Sequence, residues 1–226
     1  MIEARFRHRA KQDEIIKNRH AQVLNHLAEI AWLWKSDVAD IALSTQGESA
    51  ACDLTPFLRD GVTGALSYSA RFKGRMQDTA MFDDILTLQL EETRLRYEEF
   101  CPRVFSQIVA AFNPYRAAIV QDLDLDLDDY EEIVELAQNQ RIDADGRDSV
   151  FRINPVNFFD QQLCRRAFNL DVQHVIERLQ GHVQNATLLD DGAFIVVTNE
   201  LVDRPNLKAL HDHVANLLDM KGDVPA

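Results

Sequence analysis

The sequence predicts an α+β fold: a mostly antiparallel sheet of about seven or eight strands, a long N-terminal helix, further covering helices and a C-terminal helix. Three observations predict it. Ile2, Ala4, Phe6 and His8 alternate with Glu3, Arg5, Arg7 and Arg9, the period of a strand with one buried face. Residues 183–189 and 193–198 flank Asp190-Asp191-Gly192, a turn that joins neighbouring antiparallel strands. Apolar residues recur at helical spacing over residues 13–34 (Ile16, Val23, Leu24, Leu27, Ile30, Trp34) and again from Pro205 onward (Leu207, Leu210, Val214, Leu217, Leu218).

In order along the chain, the opening strand and the helix over residues 13–34 form the first unit, with the helix lying on the sheet. Residues 36–52 carry no clear period, although residues 39–43 read as a short strand before a polar stretch at 44–49. Thr55-Pro56 has the chemistry of an N-cap and first helical position, and Gly61 stands where a short helix would stop. Leu66, Tyr68, Ala70 and Phe72 alternate with Ser67, Ser69, Arg71 and Lys73, and Leu86, Leu88 and Leu90 alternate with Thr87, Gln89 and Glu91. These are two half-buried strands, with residues 74–84 as a surface loop between them. Val104, Phe105, Ile108, Val109 and Phe112 make residues 99–112 helical, with Pro102 tolerated in a first turn and Asn113-Pro114 ending the helix.

Residues 117–120 are a buried strand. Beyond it Asp122, Asp124, Asp126 and Asp128 alternate with Leu123, Leu125 and Leu127; if extended, leucines point inward and aspartates form an outward row. From Asp128 the period becomes helical, placing Tyr130, Ile133, Val134 and Ala137 on one face and Asp128, Asp129 and Glu131 in the first turn, where the helix dipole favours negative charge. Residues 141–148 form a polar turn, residues 150–153 resume an extended segment, and residues 154–159 pack an irregular crossing. Asp160 caps a short helix through residue 167; residues 172–179 form another, with Gly181 at its stop. No Pro/Gly/Ser linker divides the chain, so residues 1–226 read as one domain, and two similar halves sharing a sheet would read alike.

Composition narrows the function. With 24 Lys plus Arg against 37 Asp plus Glu, the net charge of −13 argues against general nucleic-acid or anionic-membrane binding and favours a basic protein partner. No apolar run could span a bilayer and the N-terminus lacks a signal-peptide pattern, which places the protein in the cytoplasm. Cys52, Cys101 and Cys164 are odd in number and widely spaced, as expected of reduced core thiols.

No phosphate-binding glycine loop, nucleophile elbow or zinc-protease helix is present. Asp143-x-Asp145-Gly146 resembles part of a calcium loop, but Arg141 and Arg152 stand at its end ligand positions. His211 and His213 lie two apart on a helix and diverge, and His20 and His26 lack partners at ligand spacing. The expectation is therefore a protein that is not an enzyme, with no catalytic residue, cofactor or metal. Its first candidate contact surface is the acidic set Asp122, Asp124, Asp126, Asp128, Asp129, Glu131 and Glu132.

The opening strand and helix, with Phe6-Arg7-His8-Arg9, Arg19 and residues 24–27, resemble the start of bacterial polymorphic-toxin immunity proteins of the type VI secretion-associated class. The stretch Leu189-Asp190-Asp191-Gly192-Ala193-Phe194-Ile195-Val196-Val197-Thr198, its following turn at residues 203–206 and the last helix resemble that family's closing hairpin and helix. The resemblance implies a cytoplasmic protein that binds a cognate antibacterial toxin and blocks it stoichiometrically, without turnover. Two other readings stand beside it: a non-enzymatic adaptor or scaffold of a secretion or defence system, and a carboxylate- or metal-dependent hydrolase. Several large partners would favour the former; carboxylates converging in a cleft would favour the latter.

Overall fold

The computed structural model describes residues 1–38, 41–46, 48–72, 74, 76–94 and 96–220. Among the described residues nine strands, rather than the seven or eight expected, form one sheet: β1 (Ile2–Arg9), β2 (Ser44–Gln46), β3 (Ser49–Asp53), β4 (Val62–Tyr68), β5 (Asp83–Leu90), β6 (Arg116–Val120), β7 (Val156–Asp160), β8 (Asn185–Leu189) and β9 (Gly192–Val196). Their order is β2-β3-β4-β5-β1-β6-β7-β9-β8, antiparallel at every step. The helices are α1 (Ile16–Ala28), the single turn α2 (Tyr97–Glu99), α3 (Phe105–Phe112), α4 (Leu123–Asp128), α5 (Tyr130–Gln140), α6 (Gln161–Phe168), α7 (Val172–Leu179) and α8 (Arg204–Leu217).

The alternation in β1 decides which face is which. Phe6 pairs across to Leu86 on β5 and Ala117 on β6, and the same row continues through Phe158 and Phe194. This face packs against α1 and α3, with the Phe105 ring of α3 5.0 Å from Phe6 and 6.0 Å from Phe194. Full burial of such a ring stabilises by about 1.5–3 kcal/mol. The opposite face holds Phe159 and Ile195 beneath α6, α7 and α8, while around β1 and β6 it carries Arg5, Arg7 and Arg116. Over β4 it is bare, with Thr63, Ala65 and Ser67 exposed.

Several sequence expectations are corrected. The first helix ends at Ala28 rather than continuing to residue 34, because the chain beyond it pairs elsewhere. Arg59 N–H donates to Leu33 O (2.8 Å), Lys35 N–H to Phe57 O (3.0 Å), and the Trp34 indole N–H to Leu27 O (2.7 Å). The predicted strand at residues 39–43 falls partly on residues 39 and 40, outside the described residues; Ile41–Leu43 is not a strand, and the polar stretch after it forms the β2–β3 hairpin at the sheet edge. No helix starts at Thr55: its hydroxyl accepts from Gly64 N–H on β4 (3.2 Å), so the hydroxyl serves the sheet.

The strand predicted through Lys73 stops at Tyr68, since Asp84 captures Ser69 N–H (3.1 Å) and the Arg71 guanidinium; Lys73 itself lies outside the described residues. Residues 150–153 are not extended into a strand, whereas the supposed crossing is β7, an interior strand between β6 and β9. Buried on both faces, Val156, Asn157, Phe158 and Phe159 show no alternation to read. Pro102 sits in a π-helical turn, Phe100–Val104, between α2 and α3.

The expected cap at Asp160 and helix end at Asn113 are present, and Asp171 and Asp203 are two further caps that were not expected. Asp160 and Asp171 accept from the N–H groups of Leu163 (2.7 Å) and His174 (2.9 Å), and Asn113 ends α3 at φ 51°. At α8, Asp203 accepts from Asn206 N–H at 3.1 Å ahead of Pro205. Asp203→Ala should cost about 1 kcal/mol in urea denaturation; an unshifted midpoint would mean that Pro205 and the ion pairs of Arg204 hold that turn alone.

Candidate functional site

The acidic run after β6 is a helix, not an extended ladder. Asp122 caps it, accepting from Leu125 N–H at 2.9 Å, and a carboxylate there gains from the helix dipole. On a helix, leucines two apart cannot share a face. Leu125 is buried, while Leu127 is 70% exposed. Tyr130, expected on the buried face of α5, is 64% exposed, and α5 has no fully buried residue.

The seven acidic candidates divide by partner. Asp122 receives the guanidinium of Arg204, the first residue of α8, at 2.7 and 2.9 Å, and that hydrogen bonding holds its carboxyl below the usual range. Asp128 receives the same guanidinium at 3.0 Å. Asp126 pairs with Arg5 of β1 at 3.2 Å, and Asp129, nearly buried, is held bidentate by Arg152, one contact being 2.6 Å. These four anchor α4 and α5 to β1, α8 and the loop before β7. Asp124, whose side chain is 87% exposed and 4.0 Å from Arg204, faces outward with Glu131 and Glu132.

The result is a helical corner with two exposed apolar side chains flanked by carboxylates. Reading residues 122–130 at the helical period would have found it, because Leu123, Leu127 and Tyr130 then fall together and opposite Leu125. No local signal marks Arg5, Arg152 and Arg204 as its anchors, since they arrive from distant positions.

Beneath the corner, Arg5, Arg7, Arg116 and Arg152 meet Asp126, Asp129 and Asp145 around a cavity of about 30 Å³, room for about one water. Both Arg7 and Arg116 donate to Asp145 O, at 3.0 and 2.6 Å. A broader depression of about 300 Å³, between Met1, Arg59, Asp60, Gln89 and Arg94, is lined by neither histidine nor cysteine.

The other sequence candidates have structural partners. Asp143 accepts from Ala80 N–H (2.6 Å) and Arg147 N–H (2.8 Å), and Asp145 pairs with Arg116 (2.5 Å), so both residues of the calcium-like fragment hold the loop to the sheet. His20 bridges Tyr68 OH and Ile41 O inside the core. His211 Nδ1 accepts from Ile153 N–H, while the His213 ring faces His182, so the two diverge as their spacing requires. The three cysteines are free and buried, and burial pushes Cys52 up to about 11 and Cys101 and Cys164 up to about 12, far from thiolate reactivity at neutral pH. Among the described residues no helix is long and apolar enough to cross a membrane.

No family model and no curated protein matches the chain. Among solved structures it is similar to one from a secretion system. That protein is Pseudomonas aeruginosa T6SS protein PA0821, 13% identical, with a TM-score of 0.49 over 96% of this chain and 72% of the other. A likeness at that level carries no argument about activity.

Proposed function

We propose that this protein is a non-catalytic binder, a cytoplasmic immunity protein that neutralises a cognate antibacterial toxin, and that α4 and α5 form its contact surface. The exposed pair Leu127 and Tyr130 beside Asp124, Glu131 and Glu132 carries the reading. Interface energy concentrates in a few apolar or aromatic anchors, and surrounding charge sets encounter rate and partner choice. A basic partner fits, since its cations would meet the outward carboxylates while an apolar side chain covers Leu127. The immunity role itself rests on the resemblance at the two chain ends.

The paired aspartates are poor probes, because changing Asp122 or Asp129 would strip a cap or leave Arg152 unpaired and unsettle the helices themselves. The test is affinity capture from the native host with mass spectrometry, comparing wild type with Leu127→Asp/Tyr130→Ala. One small basic protein should be captured at equal stoichiometry, and the variant should weaken it by ~30-fold or more, the effect of losing about 2 kcal/mol. Reversing Asp124, Glu131 and Glu132 to Lys should slow association and reduce its salt dependence. Undiminished capture by both variants would remove this corner from the interface.

A further inference from the structure

A second cluster lies at the far end of β1, behind α1 and away from the acidic corner. His8 of β1 stands opposite Asp84 of β5 in the sheet register, and Glu14 approaches from the segment leading into α1. One ligand-type atom from each of the three lies within 4.8 Å of the other two. His8 is 7% exposed, and its Nδ1 sits 2.6 Å from Asn113 O at the end of α3. A carbonyl can only accept, so Nδ1 carries the proton and Nε2 presents a lone pair. That Nε2 is buried without a hydrogen-bond partner. A histidine whose other nitrogen is pinned by a carbonyl is the arrangement that orients metal-binding imidazoles.

The seat already has a cation. Arg71 donates to both Asp84 oxygens, at 2.8 and 2.7 Å, and to Glu14 at 3.0 Å. Arg19 packs nearby, hydrogen-bonded to Phe112 O, so two guanidiniums balance two carboxylates. A divalent ion added to that set would leave a net charge of about +2 there, whereas one that replaces the Arg71 guanidinium leaves about +1, with Arg19 and the two carboxylates. Glu14, the most exposed of the three, lies on the side where such an ion would enter.

We propose that His8 Nε2, Glu14 and Asp84 form a binding site for a divalent transition cation of the zinc class, occupied by exchange with the Arg71 guanidinium. One imidazole and two carboxylates suit zinc, while magnesium prefers oxygen ligands alone. At the 4.8 Å limit the three atoms lie about 2.8 Å from a common centre, so ligation at about 2.0–2.2 Å draws each in by about 0.6–0.8 Å, with water completing the shell.

The experiment titrates the untagged full chain with zinc chloride by calorimetry at pH 7, with magnesium chloride as control. All variants carry His182→Gln, which removes the competing surface pair of His182 and His213, whose rings are 5.9 Å apart. One equivalent of zinc should bind and magnesium should not displace it. Glu14→Gln should weaken binding by about 10–100-fold. Arg71→Gln should tighten it by about tenfold, since it removes the competitor. In case Arg71→Gln fails to fold, ¹⁵N spectra of the unmodified cluster follow the His8 ring, whose Nε2 resonance should shift on adding zinc. A silent His8 resonance, or zinc affinity unchanged by Glu14→Gln, would overturn the assignment and leave only surface carboxylate binding.

Discussion

Asp83→Ala should lower the stability of this protein by about 3–5 kcal/mol, the cost of stripping one partner from a buried ionic cluster. The Asp83 carboxylate is fully buried at the start of β5. It accepts from Tyr115 O–H at 2.6 Å and Arg147 Nε–H at 2.8 Å, and Arg7 Nε lies 3.1 Å away. Arg147 continues to Asp78 at 3.0 Å, which also receives Arg166 at 2.7 Å. Truncation leaves two guanidiniums and a phenol facing a void that water cannot fill well, and the unmet desolvation of those groups dominates the loss. Asp83→Asn, which keeps the shape and an acceptor, should cost clearly less. Urea denaturation read at constant slope measures both, and an alanine variant within 1 kcal/mol of wild type would mean that the cluster is only marginally favourable. The loop from Asp143 to Ile153 hangs on this cluster and carries Arg152, so the alanine variant should also loosen α5 through Asp129.

Gly192→Ala should destabilise by about 1–3 kcal/mol, and Gly192→Val by more, through overpacking. A Cβ at residue 192 would stand 2.4 Å from the Phe158 ring and 2.7 Å from Phe159 O. Phe158 is buried in the main core and the carbonyl belongs to β7, so neither can retreat. The hairpin's positive φ falls on Asp190 (φ 50°), not on the glycine. Asp-Gly marked the turn correctly, yet the glycine serves close approach between β7 and β9 and the aspartate serves the turn. Thermal denaturation would decide: a shift of less than ~0.5 kcal/mol equivalent would show that Phe158 can repack. Phe158→Leu in the alanine background should recover part of the loss, leaving the contact with the carbonyl.

What was legible depended on whether one element could report its own environment. β1 alternates because one face meets α1 and α3 and the other carries arginines, and that contrast is written in eight consecutive residues. The cap at Asp160 is equally local, satisfying an N–H three residues on, as Asp171 and Asp203 also do although neither was read as a cap. The acidic character of residues 122–132 was also visible, and so was a helix, read from Asp128 where the structure starts α5 at Tyr130.

The sequence by itself determined the α+β class, the one-sided opening strand, the closing hairpin with its last helix, and the place where negative charge is concentrated. Only the tertiary structure decided that β7 lies inside the sheet, that the Asp-Leu run coils, and that Leu127 and Tyr130 face solvent while Asp122, Asp126, Asp128 and Asp129 are paired with Arg204, Arg5 and Arg152. The reason is physical: periodicity records the contrast between one side of an element and the other. A strand buried on both faces has no such contrast, and an ion pair between positions 5 and 126 or 122 and 204 leaves no mark on the residues between them.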